Sequence, residues 1–110
     1  MPVALNEVSN DIVETTDEER EAFLIVRAIA ARVVSVNRVT MRDAKSYCAV
    51  LVDDNNRKPV CRFYFNSPTT KHLGLFGADK VETRVRLKKP ADIYQHIEAI
   101  EAALLAYPGP

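Results

Sequence analysis

A chain of 110 residues, 47% apolar and 27% charged, fits one globular domain with a core of its own. No run approaches the roughly 20 apolar residues that a membrane-spanning helix needs, and Met1–Leu5 lacks the basic and long apolar regions of a secretion signal. Cys48 and Cys61 both sit in apolar runs and read as free, buried thiols of a reducing compartment, which points to the cytoplasm and excludes a disulfide scaffold.

The formal net charge is 0, but it is unevenly spread. Residues 1–21 hold seven acids against Arg20 alone, a balance of −6, and the remainder carries +6. Between Arg38 and Lys89 there are 12 bases and 5 acids. An acidic leader therefore precedes a basic middle, and a locally basic surface attracts polyanions even in a neutral chain.

Residues 1–15 are polar and acidic without a sustained period, and read as a flexible linker or arm ahead of a single domain over 16–107. Thr16-Asp17-Glu18-Glu19 is a capping box. Phe23, Val26, Ile29, Ala30 and Val33 then recur at helical spacing, which predicts a helix over 17–34. Val39-Thr40-Met41 is a short leading strand, and Ser46–Val52 a longer one. Asp53–Lys58 forms a polar turn, since Asn and Asp tolerate left-handed backbone. Val60–Asn66, Lys71–Phe76 and Val81–Leu87 follow as strands separated by short turns. Such short connections imply an antiparallel meander. Pro90 suits the first turn of a helix, and Ile93, Ile97, Ile100 and Leu104 predict that helix over 91–106. The fold expected is α+β: a four- to five-stranded antiparallel meander with an N-terminal and a C-terminal helix packed on one face.

Centring the turn on Asn55-Asn56 pairs Ala49 with Arg62 and Tyr47 with Tyr64. Cys48, Val50, Val52, Cys61, Phe63, Phe65, Leu73, Leu75, Val81, Val85 and Leu87 then share the face beneath the helices. The opposite face carries Tyr47, Arg62, Tyr64, His72, Phe76, Arg84 and Arg86. Three readings of that mixed surface stay open. Cross-strand Tyr–Tyr and Arg–aromatic pairs stabilise a solvated sheet with no ligand. A protein partner or a second copy of the chain could cover the face or add to an unpaired edge. Nucleic acid could stack bases on the tyrosines and set phosphates against the arginines.

Catalytic patterns are missing from the sequence. Glu82-Thr83-Arg84 has arginine where a restriction-type nuclease needs lysine, and Asp43-Ala44-Lys45 has no second acid beside it. Asp53 and Asp54 fall in a turn, His72 and His96 have no ligand-spaced companions, and Cys48 and Cys61 lack a metal-binding spacing. Three glycines do not make a nucleotide-binding loop. The expectation is no catalytic residue, no metal and no cofactor.

Met41–Asn66, M-R-D-A-K-S-Y-C-A-V-L-V-D-D-N-N-R-K-P-V-C-R-F-Y-F-N, resembles the C-terminal domain of predicted restriction endonuclease-like proteins, relatives of the type I and type IV restriction enzymes. The likeness extends to Thr15–Ile29, Leu73–Phe76 and Asp92–His96, and so spans about 15–107. In that family the nuclease motifs lie in an N-terminal domain. The resemblance implies a non-catalytic accessory module, partnered by DNA, by a nuclease domain or other restriction-system subunits, or by a second copy of the chain. It assigns no functional residue. The residues expected to meet a polyanion come from the basic face alone: Arg42, Lys45, Arg62, Tyr64, Arg84 and Arg86.

Overall fold

A computed structural model describes residues 15–67, 69–77 and 79–107; residues 1–14 of the expected acidic arm lie outside this range. Helix α1 (Asp17–Ala30) opens with the capping box read from the sequence. The Glu19 N–H donates to Thr16 Oγ1 at 3.1 Å, and the Thr16 N–H donates to Glu19 Oε1 at 2.9 Å. Two otherwise orphaned backbone donors are thereby satisfied. The helix ends at Ala30, four residues before the expected limit, and turns through 31–34. A short 3₁₀ turn (Val36–Arg38) leads into the sheet.

Five strands follow in chain order: β1 (Val39–Asp43), β2 (Cys48–Val52), β3 (Pro59–Tyr64), β4 (Lys71–Phe76) and β5 (Glu82–Leu87). Each pairs antiparallel with its sequence neighbour, so the sheet is the expected meander in the order β1-β2-β3-β4-β5. The leading strand is a full five-residue edge rather than a short piece. Val39 to Arg42 alternate apolar with polar, and Asp43 then breaks the pattern inside the strand. The pairing of Ala49 with Arg62 is as expected, but the register shifts after Val50, so that Leu51 meets Pro59. This bulge lets both Val60 and Cys61 enter the core.

Between β2 and β3 the left-handed residues are Asp53 (φ 58°) and Asp54 (φ 53°), not the asparagines after them. The Asn55 N–H closes this turn on Val52 O at 3.1 Å. Two consecutive positive φ values match the twist of a hairpin. Beyond β5, the stretch expected to be one helix begins as a 3₁₀ segment (Pro90–His96) and becomes helix α2 (Ile97–Leu105). Asp92 holds its entry, accepting from Lys88 N at 2.9 Å and Lys89 N at 3.2 Å.

Both helices cover the same face of the sheet. Val26, Ile29, Ile93, Ile100 and Leu104 pack there on Cys48, Val50, Val52, Cys61, Phe63, Leu73 and Leu87. Phe63 and Phe65 stack with ring centroids 5.4 Å apart. Tyr107 closes this layer, donating its hydroxyl to Pro59 O at 3.1 Å. Val81, expected in the core, precedes β5 and is exposed. None of the described helices is long and apolar enough to cross a membrane.

Candidate polyanion-binding face

The face turned away from the helices is built on one register row that crosses all five strands. Arg42 of β1 lies opposite Ala49, Ala49 opposite Arg62, Arg62 opposite Gly74, and Gly74 opposite Arg84. Arginines therefore occupy alternate strands, with the two smallest side-chain types between them. Strands lie about 4.8 Å apart, so consecutive arginines of the row start roughly 10 Å apart. The next row on this face places Tyr64 opposite His72 and His72 opposite Arg86.

Aromatic rings carry the guanidinium groups. Arg62 lies over the Tyr47 ring at 4.4 Å and the Phe76 ring at 5.2 Å, and Arg84 lies over Tyr64 at 3.8 Å. Tyr47 and Tyr64 sit 5.8 Å apart, in the cross-strand relation expected from the turn. These contacts combine cation–π attraction with burial of the arginine stems. Phe76, on the nominally open face, is only 7% exposed as a result. Burial opposes the charge of Arg62, but the Tyr64 hydroxyl, Tyr47 and Glu82 outweigh it and hold the guanidinium above its ordinary value.

Glu82, which the sequence offers only as a nuclease-type acid, is a member of this face. The Tyr64 hydroxyl donates to its Oε2 at 2.5 Å. Its Oε1 lies 3.9 Å from Arg84 Nε and 4.0 Å from Arg62 Nη1. The carboxylate reaches from the Phe76 row into the space over Gly74, where a Cβ would stand 2.1 Å from Oε2. The glycine in an otherwise β-prone strand was the only sequence signal of this close approach.

Of the residues expected to meet a polyanion, Arg62, Tyr64, Arg84 and Arg86 form one contiguous patch on β3–β5. Arg86 is exposed and has no carboxylate partner among the described residues. Arg42 is turned toward the β2–β3 loop, donating to Asn56 Oδ1 at 2.7 Å, Asp54 O at 3.0 Å and Asp54 Oδ1 at 2.7 Å. Lys45 is exposed in the β1–β2 turn, and its carbonyl accepts from Asn66 Nδ2 at 2.6 Å. The neighbouring Asp53 carboxylate binds Arg38 through two 2.9 Å bonds and Lys58 at 3.1 Å. Those bonds hold it well below the usual carboxylate range.

Beneath the sheet the structure corrects one reading. Asp43 does have a second acid beside it, because α1 delivers Glu19 there. One ligand-type atom each from Glu19, Asp43 and Cys48 falls within 4.8 Å of the others. Glu19 is committed to the capping box, and Asp43 accepts from the Thr15 hydroxyl. Burial, with the charges of Asp43 and Glu19, pushes the Cys48 thiol far up and keeps it protonated. A separate indentation of about 370 Å³ is lined by Tyr94–Ala99 at the start of α2 and is widely open to solvent.

Comparison with family models, with curated proteins and with solved structures finds no match to this chain.

Proposed function

We propose that this domain is a non-catalytic nucleic-acid-binding module that uses the open face of its sheet. The observation that carries this reading is the patch of Arg62, Tyr64, Arg84 and Arg86 with Tyr47, on a face that no element of the described fold covers. Arginine offers several donors in a planar fork that matches phosphate oxygens, and stacking on aromatic rings fixes the fork in place before a ligand arrives. The resemblance of Met41–Asn66 to restriction endonuclease-like proteins supports DNA as the polymer, with the domain as an accessory module of a DNA-processing system.

The test is a fluorescence-anisotropy titration of labelled single- and double-stranded DNA at about 50 and 200 mM salt. Arg84 and Arg86 are the residues to remove, since both are exposed. Arg62 is a poor choice because its guanidinium also lies over the Phe76 ring. Binding that weakens with salt and is lost in Arg84→Ala/Arg86→Ala supports the reading. A folded protein that binds neither DNA at low salt refutes it, and leaves a role in assembly through the same face or through the β5 edge.

A further inference from the structure

We infer that the space over Gly74, between Arg62 and Arg84, is a phosphate seat that the protein fills with its own Glu82 carboxylate. A phosphodiester of the bound nucleic acid takes this seat when Glu82 turns outward. The inference rests on the nucleic-acid reading of the face and deepens it.

The seat has the parts that an oxyanion requires. Two guanidinium groups flank it from β3 and β5, and the Tyr64 hydroxyl points into it. Its floor is the backbone of Gly74, where any Cβ would collide with the anion. Two positive groups facing one carboxylate leave a surplus of positive charge at the seat.

Glu82 is held in this seat by Tyr64 rather than by the arginines. Its separations from Arg62 and Arg84, 4.0 and 3.9 Å, exceed hydrogen-bond distance, and only the 2.5 Å bond from Tyr64 is short. Partly exposed ion pairs at such distances contribute little. Glu82 also starts the edge strand β5, and its side chain, 20% exposed where it lies over Gly74, can reach solvent by turning away from β4. A phosphodiester is larger than a carboxylate. It presents two charged oxygens at a tetrahedral centre, which can meet both guanidinium groups together. Glu82 thus acts as an internal competitor that sets affinity and the ionic strength at which nucleic acid binds.

Two variants test the seat in opposite senses. Glu82→Gln removes the competing charge. Gly74→Ala keeps every charge but fills the floor with a methyl group, which meets the end of the Glu82 side chain and crowds the Tyr64 ring at 3.1 Å, and so denies the place to a phosphate as well. Glu98→Gln, at an exposed acid on α2, is the control for net charge.

Each protein is checked for folding by circular dichroism and titrated with a labelled single-stranded DNA of about 20 nucleotides. At about 50 mM salt, Glu82→Gln is expected to bind about 3- to 10-fold tighter than wild type, with a salt slope steeper by about one. Adding Gly74→Ala to Glu82→Gln is expected to cancel most of that gain, because the methyl group takes the place of the phosphate oxygen, and Glu98→Gln is expected to match wild type. If Glu82→Gln binds as wild type does, if its gain survives the addition of Gly74→Ala, or if Glu98→Gln gains equally, the seat is refuted. The nucleic-acid reading then still stands on the Arg84→Ala/Arg86→Ala comparison. If no folded protein binds DNA, both fall. If an oligoglutamate of matched charge displaces DNA from Glu82→Gln as well as unlabelled DNA does, the assignment to a phosphodiester is overturned.

Discussion

Phe76 offers a direct test of whether the arginine–aromatic face is a packed layer or a set of independent surface side chains. It lies on the face away from the helices, yet is only 7% exposed, with Arg62 over its ring at 5.2 Å. A phenylalanine truncated in a closed core loses roughly 3–5 kcal/mol. Here water can refill the space, so Phe76→Ala is expected to lose roughly 2–3 kcal/mol, close to the transfer term alone. Arg62→Ala gives up two ring contacts worth about 0.5–1 kcal/mol each. It also removes a buried Nε that lacks a hydrogen-bond partner among the described residues, which offsets part of the loss. About 1 kcal/mol net is expected. The double variant should be less destabilised than the sum of the singles by roughly 0.5–1 kcal/mol, because each single change already breaks their shared contact. Urea unfolding followed by circular dichroism measures all three. A Phe76→Ala loss below about 1 kcal/mol, or a coupling within the usual error of about 0.3 kcal/mol, would show that Arg62 does not seal this ring.

Two further outcomes follow from the electrostatics. Asp53 has a native-state pKa lowered by hydrogen bonds from Arg38 and Lys58, so its stabilising contribution is present above the unfolded value and is lost as pH falls through the native one. Asp53→Asn should therefore unfold at lower urea than wild type at neutral pH, and the gap should narrow steadily as pH falls below about 5, with part of it remaining at about pH 2; a gap independent of pH contradicts this. Burial raises both thiols, with Asp43 and Glu19 adding to the effect at Cys48 and Cys48 adding to it at Cys61. An aromatic disulfide reagent at mildly alkaline pH should label neither cysteine in the folded protein and both in denaturant, and fast labelling of either in the native state would refute the packing described.

Local chemistry was the most legible part of the sequence. The Thr16–Glu19 capping box is a signal within four residues, and it forms as read. Lys71–Phe76 has the bounds expected of it. The pairing of Ala49 with Arg62 followed from counting back from a polar turn, and with it the membership of the face that holds Tyr47, Arg62, Tyr64, His72, Phe76, Arg84 and Arg86. What escaped depends on side chains reaching between rows. Glu82 belongs by register with Phe76, and only the missing Cβ of Gly74 lets it lean to Arg62 and Arg84. Arg42 bends toward Asp54 and Asn56, a partnership set by the bulged hairpin rather than by alternation. Glu19 meets Asp43 because α1 crosses β1, a packing relation with no periodic trace. The 4-3-4 spacing from Ile93 does not separate a 3₁₀ start from an α-helix, since Ile93 and Ile100 are buried either way.

The strand order also governs how this chain folds. Every strand bonds only to its neighbour in sequence, so the sheet can assemble by successive hairpin closures with small loops. The contact of α1 with α2, joined by an ion pair at 3.4 Å from Arg32, just past α1, to the largely buried Glu101 of α2, instead links segments about seventy residues apart. Closing that large loop earns little until the sheet exists to receive both helices, which places helix–helix docking late on the route. Truncating side chains between α1 and α2 would then quicken unfolding while leaving refolding nearly unchanged, whereas truncation at Phe63 would slow refolding. A chevron plot for one substitution of each kind separates the two arms, and a slowed refolding arm for the helix–helix variant would place docking early instead.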